Sequence, residues 1–460
     1  MLTHPEVAKT SQCDVESPSP QVVVHQPVKT EKLSEEYFVS VNGREVPVYV
    51  AQLSPYIQSV TGWDENYSFT SFESSGTVTV TVRSSQPLKA FTIRPIEQEI
   101  PVQLDGNTAT FTLPRNGNFV IERNGHGRKD PLLLFANPVE VNPPKAGDPG
   151  VIFFGPGHHD AGFISLASNQ TLYIAGGAVV TGAVKARGEN IKIRGRGILQ
   201  NEGNPYNGHN MIHLDRCRNV SIEGIILRKK SQEWTVRPDH SDGIVISNLK
   251  ICGGYGDNDD GIDPVNTRNM VVEDCFIRSK DDCMAFKGIG DRTNHCENIT
   301  VVRTSLWCDQ FCCILLGDES SAEFMRNITF KDCHVLFMSF EGNPKKFLMM
   351  HPGDGMHMEN IRFENIAIHG EGQTHNFIEM SCENNVYSQT KEVGSMKNIF
   401  LKNVTVTGLP GGYDIVIKGF DATHTIEGVT FENCSILGQP LTADSPNLHL
   451  GGFIKDIEFK

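Results

Sequence analysis

A short pattern that recurs along most of the chain limits the folds it can adopt. The pattern is Asn, an aliphatic residue, any residue and a second apolar residue, and it returns after steps of 21 to 38 residues. Apolar residues at every second position are typical of strands, and a repeat of this length is typical of a solenoid. The copies begin at Asn190, Asn219, Asn248, Asn269, Asn298, Asn327, Asn360 and Asn398, and Gly428 and Asp456 continue the series without Asn.

Short strands that stack once per turn form a parallel β-helix, and we predict this all-β fold for residues 150–460. Residues 36–142 contain short alternating strands separated by turn signals such as Asn42-Gly43, which predicts a small β-sandwich domain before the β-helix. We expect this domain to be a structural cap, with carbohydrate binding as the alternative. Residues 1–35 are rich in Pro, Ser, Val and Lys without periodicity, which predicts a flexible segment.

Charge and hydropathy exclude some classes of partner. The net charge of −14, from 41 basic and 55 acidic residues, disfavours binding to nucleic acid through its phosphates. No run of 18 apolar residues exists, so no transmembrane helix and no membrane partner are expected. The first 30 residues lack the apolar core of a signal peptide, so the sequence leaves localisation open between the cell interior and a removed leader. The sequence indicates no oligomeric state.

The cysteines favour structural thiols. Most of the 12 lie within the repeats, and Cys275, Cys333 and Cys434 follow an Asp or Asn in similar contexts. We predict buried thiols stacked in the core of the coil. Disulfides are the lesser alternative, and zinc is weaker still because no Cys-x-x-Cys pair is matched by a second one.

Two acidic motifs indicate chemistry. Asp259, Asp260 and Asp263 lie in the first, and Asp281 and Asp282 lie in the second, 21 residues after Asp260. In a coil that returns to the same edge at about this interval, the motifs would stack on one surface. Crowded carboxylates repel, which can raise the pKa of one of them. A protonated carboxyl beside ionised ones is suited to hydrolysing a glycosidic bond.

The same motifs carry a family resemblance over about residues 150–460. Residues 258–264 resemble the Asn-x-Asp-Gly-apolar-Asp motif of glycoside hydrolase family 28, the polygalacturonase family, and residues 281–285 resemble its Asp-Asp-Cys-x-Ala motif. The N-terminal β-domain and the opening coil are also similar to family 49, the dextranase and isopullulanase family. The resemblance implies a right-handed parallel β-helix and an inverting glycoside hydrolase. We expect no metal and no cofactor.

The resemblance implies a role for each matching carboxylate. Asp281 would be the general acid that protonates the leaving oxygen. Asp260 and Asp282 would hold and deprotonate the attacking water, which inversion places on the opposite side of the sugar. Asp259 and Asp263 are expected to be structural, because Asp side chains commonly bond to nearby backbone in turns.

Substrate-binding residues are harder to assign, because the family's Gly-His-Gly and Arg-x-Lys segments have no counterpart here. In that family the Arg and Lys bind the substrate carboxylate. Lys287 and Arg292 are candidates for a positive group, with ion pairing to the aspartates as the alternative for Lys287. Asp318 and Glu319 are candidates to line the cleft, and Trp234 is a candidate sugar platform or core residue.

The predicted activity is therefore hydrolysis of O-glycosidic bonds in a carbohydrate substrate. The substrate is either a pectin-type galacturonan or rhamnogalacturonan, or a glucan of the dextran or pullulan type. Two alternatives remain: a polysaccharide lyase that uses Ca²⁺ bound by the acidic cluster, and a non-catalytic carbohydrate-binding β-helix. The long insertions at 340–355 and 370–393 are expected to wall the cleft.

Overall fold

The computed structural model describes residues 21–202, 205–290, 293, 295–338, 346–371 and 377–460. Strands dominate this part of the chain, and the predicted all-β fold, a parallel β-helix preceded by a small β-domain, is confirmed. Residues 1–20 of the predicted flexible segment lie outside the described residues. None of the described helices has the length and hydropathy needed to cross a membrane.

The N-terminal domain consists of two packed sheets. Its elements are β1 (Val22–Val23), β2 (Tyr37–Val41), β3 (Arg44–Val46), β4 (Val48–Gln52), α1 (Pro55–Thr61), β5 (Asn66–Ser74), β6 (Val78–Ser84), β7 (Phe91–Arg94), a 3₁₀ helix (Ile96–Gln98), β8 (Val102–Asp105), β9 (Thr108–Leu113), β10 (Gly117–Arg123) and β11 (Leu132–Pro138). One sheet has the order β3-β2-β6-β9-β8, and the other has the order β1-β5-β11-β10-β7 with β4 also paired to β5. Because β1 pairs with β5, the ordered sheet begins before the boundary at residue 36 that composition predicted.

The described part of the β-helix contains thirty strands. In chain order they are β12 (Val151–Phe154), β13 (Gly157–Leu166), β14 (Thr171–Ile174), β15 (Ala178–Ala186), β16 (Glu189–Gly195), β17 (Ile198–Glu202), β18 (Ile212–Asp215), β19 (Arg218–Glu223), β20 (Ile226–Lys230), β21 (Val236–Asp239), β22 (Asp242–Ser247), β23 (Lys250–Cys252), β24 (Arg268–Glu273), β25 (Phe276–Ser279), β26 (Met284–Phe286), β27 (His295–Val302), β28 (Ser305–Cys308), β29 (Cys312–Gly317), β30 (Phe324–Lys331), β31 (His334–Met338), β32 (Lys346–His351), β33 (His357–Glu371), β34 (Ile378–Ser381), β35 (Ser395–Leu409), β36 (Ile415–Lys418), β37 (Ile426–Glu432), β38 (Ser435–Ile436), β39 (Gln439–Pro440), β40 (Leu448–Leu450) and β41 (Ile454–Phe459).

These strands stack into three parallel faces. Face 1 carries the repeat pattern and includes β16, β19, β22, β24, β27 and β30. Face 2 includes β17, β20, β23, β25, β28 and β31. Face 3 includes β18, β21, β26, β29, β32, β34 and β36, with isolated bridges at Ile262 and Val265 joining β21 to β26. The inward side chains of all three faces form one continuous apolar core.

The repeated Asn residues enter face 1 in the left-handed backbone region, with Asn298 at φ 57°. Asn tolerates this conformation because its side chain bonds locally. The amides also form a ladder, in which Asn298 Nδ2 donates to Asn269 Oδ1 at 3.2 Å and Asn327 Nδ2 donates to Asn298 Oδ1 at 3.0 Å. Gly243, at φ 71°, takes the ladder position between Asn219 and Asn269.

One repeat was therefore assigned wrongly from the sequence. The segment that begins at Asn248 enters face 2 as β23, and not face 1. The error arose because face 2 is also entered through left-handed Asn and Asp residues, with Asn248 at φ 51° and Asp274 at φ 55°. The face 1 strand of this coil is β22, where Gly243 replaces the Asn.

The cysteine prediction agrees with the structure. All the described cysteines, from Cys217 to Cys434, are free and buried. His351, His357 and Trp307 lie in β32, β33 and β28. Trp307 is fully buried.

The N-terminal domain packs against the outer side of face 2. An apolar cluster joins Phe69 and Phe135 of this domain to Cys252, Phe276 and Trp307 of face 2. The domain thus covers one side of the coil, which leaves face 3 as the neighbouring surface on which the acidic motifs lie.

Candidate active site

The two acidic motifs stack in successive coils where the chain enters face 3. The Gly261 N–H donates to the Asp282 carbonyl at 2.9 Å, and the Asp281 N–H donates to the Asp259 carbonyl at 3.2 Å. Ile262 then bridges to Met284 in parallel. The predicted stacking of the two motifs on one edge is present in the structure.

Asp260, Asp281 and Asp282 form a crowded carboxylate cluster. Asp260 and Asp282 are buried, with 3% and 4% exposure, whereas Asp281 is half-buried. Burial raises the pKa of Asp260 and Asp282 well above the ordinary value, and repulsion from neighbouring aspartates adds to the effect. Burial also raises the pKa of Asp281, against the opposing field of Lys287. The Cys312 N–H donates to Asp282 Oδ1 at 3.1 Å, which fixes that carboxyl.

Asp263 is a fourth member of the cluster, although it was expected to be only structural. It is fully buried, and neither of its carboxyl oxygens accepts a hydrogen bond of ordinary geometry. Burial raises the pKa of Asp263 to about 8, with Lys287 and Lys229 acting in the opposite direction. Such a group holds a proton at neutral pH. This role could not be recognised from the sequence, because an Asp three residues after Asp260 is equally suited to a turn.

Asp259 is the structural member of the first motif. Lys229 Nζ lies 3.1 Å from Asp259 Oδ1, and both side chains are fully buried. The N–H groups of Gly254 and Tyr255 donate to Asp259 Oδ2 at 2.6 and 3.0 Å. These contacts fix the backbone from which the Asp260 side chain projects.

Lys287 is the cation at the centre of the cluster. Its Nζ lies 2.5 Å from Glu319 Oε2 and 4.4 Å from the centre of the Trp234 ring. Burial lowers the pKa of Lys287, but the fields of Asp260, Asp263 and Glu319 outweigh this and raise it above the ordinary value. The lysine therefore remains charged and partly compensates the aspartates.

Two aromatic side chains lie near Lys287. Trp234 is half-buried, and the Arg237 guanidinium lies 5.1 Å from its ring centre. Tyr387 is 52% exposed, and the charges of Glu319 and Asp281 act on its hydroxyl, which places it at the rim of the cluster. Tyr387 could not be recognised from the sequence, because a lone Tyr in a long insertion belongs to no motif.

Asp318 faces a second polar network on the same face. Asn385 Nδ2 donates to Asp318 Oδ1 at 2.6 Å, and His351 Nδ1 lies 3.5 Å from the same oxygen. His351 Nε2 lies 3.3 Å from Glu379 Oε1, and Lys346 Nζ lies 2.5 Å from Glu379 Oε2. Burial lowers the pKa of His351, but the two carboxylates raise it to about 9.

This network contains a group of side chains with metal-ligand chemistry. Ligand atoms of His351, Glu379 and Glu383 lie within 4.8 Å of one another. A metal ligand must be a neutral imidazole, whereas the raised pKa of His351 keeps it protonated at neutral pH. Lys346 also neutralises Glu379. The group therefore suits a network of ion pairs better than a metal.

Several predicted features fall outside the described residues. Arg292, the second candidate for a positive group, is one of them. The two insertions that were expected to wall the cleft are described only in part, because residues 339–345 and 372–376 are outside the described range.

Comparison with known proteins gives the family. A probable polygalacturonase from Vitis vinifera is 36% identical over 78 residues, a match that spans 17% of this chain and 16% of that protein. Dex49A from Penicillium minioluteum has a similar structure, with a TM-score of 0.66, 16% identity and coverage of 95% of this chain and 96% of that one. An exopolygalacturonase from Thermotoga maritima has a TM-score of 0.51 and 18% identity, and covers 67% of this chain and 83% of its own.

Structural similarity at such low sequence identity shows only that the folds are alike. A match to the sequence model of a family shows membership of that family. The model described as "Glycosyl hydrolases family 28" matches residues 152–452, which is more than half of the chain and includes both acidic motifs. The match confirms the resemblance inferred from those motifs. The chain belongs to glycosyl hydrolases family 28.

Proposed function

We propose that the chain is an inverting glycoside hydrolase that uses the carboxylate cluster on face 3. One observation carries this proposal: Asp260, Asp281 and Asp282 all lie within the field of Lys287, and burial raises the pKa of all three, with repulsion from nearby carboxylates adding to the effect. Such a cluster retains protons in a range where an isolated carboxyl has lost them. It can therefore provide an acid and a base together.

Asp281 is the general acid in this proposal. It is the most accessible carboxyl of the three, so it can reach the glycosidic oxygen of a bound glycan. Its raised pKa keeps the proton available for the leaving group, which departs as a neutral alcohol.

Asp260 and Asp282 bind the attacking water on the opposite side of the sugar. Because the two carboxyls repel each other's charge, the one that is ionised accepts the proton of the water as it attacks the anomeric carbon, and the Cys312 N–H stabilises the charge on Asp282. Lys287 stabilises the net negative charge of the cluster both before and after the protons are transferred.

Asp281→Asn tests the acid. Hydrolysis should fall by about 10²- to 10⁴-fold while the fold is kept, because Asn preserves the shape but has no proton to give. Reducing ends released from a polysaccharide panel measure the loss, and Asp274→Asn, an exposed carboxylate at the entry to β25, is the matched control. NMR should show that the first product from an α-linked substrate is the β-anomer. Full activity of Asp281→Asn would refute this role, and a first product with the α-configuration would refute inversion.

We further propose that the substrate is a neutral glycan. Two lysines along the described part of face 3 are paired with carboxylates: Lys287 with Glu319, and Lys346 with Glu379. His351 is paired with two carboxylates as well. A uronate entering the described part of this face would meet a net negative surface, which costs free energy unless a cation compensates it.

A substrate panel tests this choice. Dextran and pullulan should be hydrolysed faster than polygalacturonate and rhamnogalacturonan at equal concentration. Raising the salt concentration should reduce this difference in rate, because salt screens the repulsion between the uronates and the carboxylates of face 3. Faster hydrolysis of polygalacturonate would contradict the neutral-glycan proposal without affecting the assignment of the acid.

A lyase is the second candidate, and the state of Lys287 argues against it. A lyase base must accept a proton, whereas the raised pKa of Lys287 keeps this amine protonated. Ultraviolet absorbance from an unsaturated uronide, lost on treatment with EDTA, would support the lyase instead.

A further inference from the structure

A groove lies where the N-terminal domain meets the coils that carry the acidic motifs. It has a volume of about 410 Å³, within the range typical of small-molecule sites. Four successive coils line it, with Asn207 before β18, Gln232 after β20, Tyr255 after β23 and Lys280 after β25. The N-terminal domain contributes Tyr56, on α1, which is 47% exposed. None of these residues was singled out in the sequence.

The position of Tyr56 is fixed by the docking of α1. The Ser54 N–H donates to the Gly254 carbonyl at 2.9 Å, immediately before the helix. Ser54 Oγ also accepts the Ile57 N–H and thereby caps the helix. The Tyr67 hydroxyl donates to the Gly253 carbonyl at 2.8 Å. The loop that leads to Asp260 is therefore bound on its outer side by the N-terminal domain.

Lys280 connects the groove to the active site. Its amine lies 5.5 Å from the centre of the Tyr56 ring and forms an ion pair with Asp257. Lys280 precedes Asp281 in the chain and is close enough to lower the pKa of that carboxyl. The groove therefore lies beside the segment that carries Asp281.

The groove has the chemistry of a sugar site. Its charges are balanced, because Lys230 pairs with Glu202 and Lys280 pairs with Asp257. The amides of Asn207 and Gln232 can bind hydroxyl groups, and the two tyrosine rings offer apolar faces to the C–H groups of a pyranose.

From these observations we propose that this groove is a subsite for a neutral sugar unit beyond the cleaved bond, completed by Tyr56 of the N-terminal domain. The proposal rests on the function proposed above, because it assigns the groove to the same glycan chain. The N-terminal domain then takes part in substrate recognition as well as covering face 2.

The test uses Tyr56→Ala in the full chain, with isomalto-oligosaccharides and oligogalacturonides of two to eight units as probes. Tyr56→Ala should raise KM by about 3- to 10-fold for the longer oligosaccharides of the series that is cleaved, with kcat unchanged, because it removes an aromatic contact remote from the reacting atoms. The shortest cleaved oligosaccharide should be unaffected. Val60→Ala, which alters the same helix at an exposed position outside the groove, should leave both parameters unchanged.

Binding to the Asp281→Asn protein separates the two proposals. Calorimetric titration should show that adding Tyr56→Ala weakens binding of long oligosaccharides and not of short ones. If binding behaves in this way but the wild type hydrolyses nothing, the subsite proposal is supported and the hydrolase proposal is refuted. Equal affinities with and without Tyr56→Ala, equal loss at every chain length, or no binding of either series would overturn the subsite.

Discussion

Lys287 shows how much a single charge determines at this site. It opposes the effect of burial on the pKa of Asp260, Asp281 and Asp282, and Glu319 in turn raises the pKa of both Lys287 and Asp281. The sequence indicated the three aspartates through their motifs, but it could not indicate this balance. Lys287 and Glu319 are 32 residues apart and meet only because the coils stack.

The pH profile of the enzyme should respond in opposite directions to changes in this pair. In Lys287→Met the alkaline limb of kcat/KM should move up by about one pH unit or more, because the positive charge that lowers the pKa of Asp281 is gone. In Glu319→Gln the limb should move down, because a negative charge that raises this pKa is removed. Initial rates from pH 4 to 9 measure both shifts, and shifts of the same sign would contradict the assignment of Asp281 as the acid.

Asp263 should make the stability of the protein depend on pH. The folded state holds its proton up to a pKa of about 8, whereas an unfolded Asp releases it near 3.9. Since the folded state binds the extra proton, its contribution to stability is complete below the unfolded pKa and is lost as the pH rises towards 8.

Asp263→Asn should therefore flatten this dependence. Urea unfolding at pH 5 and pH 8 should show a smaller difference in the free energy of unfolding than in the wild type, by up to about 4 kcal/mol. Asp274→Asn at an exposed site serves as the control. An unchanged difference in the variant would show that Asp263 is ionised in the folded protein.

At the scale of elements, the sequence predicted strands and stacking well because both are local. Alternating apolar residues after a left-handed Asn specify one turn of the coil, and the next turn repeats it. The face to which each strand belongs was harder to predict, as the assignment of Asn248 shows, because the chain enters two of the faces through similar residues. Gly243 is hard to recognise in the sequence as the start of a repeat, because it has the left-handed backbone but no side-chain amide.

The ladder position can be tested directly at Asn298. Asn298→Ala should destabilise the protein by about 2 kcal/mol, because Ala is strained in the left-handed region and the ladder bonds are lost. Asn298→Gly loses the same bonds without the strain, as Gly243 does, and should cost about 1 kcal/mol less. Chemical denaturation measures both values, and equal losses would mean that the ladder bonds and not the backbone decide the preference.

At the scale of the whole molecule, the two parts share one buried cluster on face 2. The sequence predicted a cap and could not reveal which side of the coil it covers, because the contacts join residues far apart in the chain. Phe135 and Phe276, for example, have ring centres 5.4 Å apart across the junction. The site of Tyr56 depends on the same docking, and for that reason it was invisible in the sequence.

The shared cluster predicts joint unfolding. Phe276→Ala should lower the free energy of unfolding by about 3–5 kcal/mol while leaving a single transition. Phe38→Ala, at an exposed position of the N-terminal domain, should have little effect. Separate transitions, followed by tryptophan fluorescence and circular dichroism, would show that the two parts fold independently.

Docking of the N-terminal domain should also make the two ends of the β-helix differ in their resistance to force. Its contacts with the coil run from at least His158 to Glu371, and the carboxylate cluster lies between these limits. Under force applied to the two ends in an optical trap, the coils after Glu371 should peel away first, in steps of one turn. Each step would release roughly 30 residues, or about 100 Å of extended chain. The acidic coils, bound from outside by the N-terminal domain, would resist until the domain itself detaches.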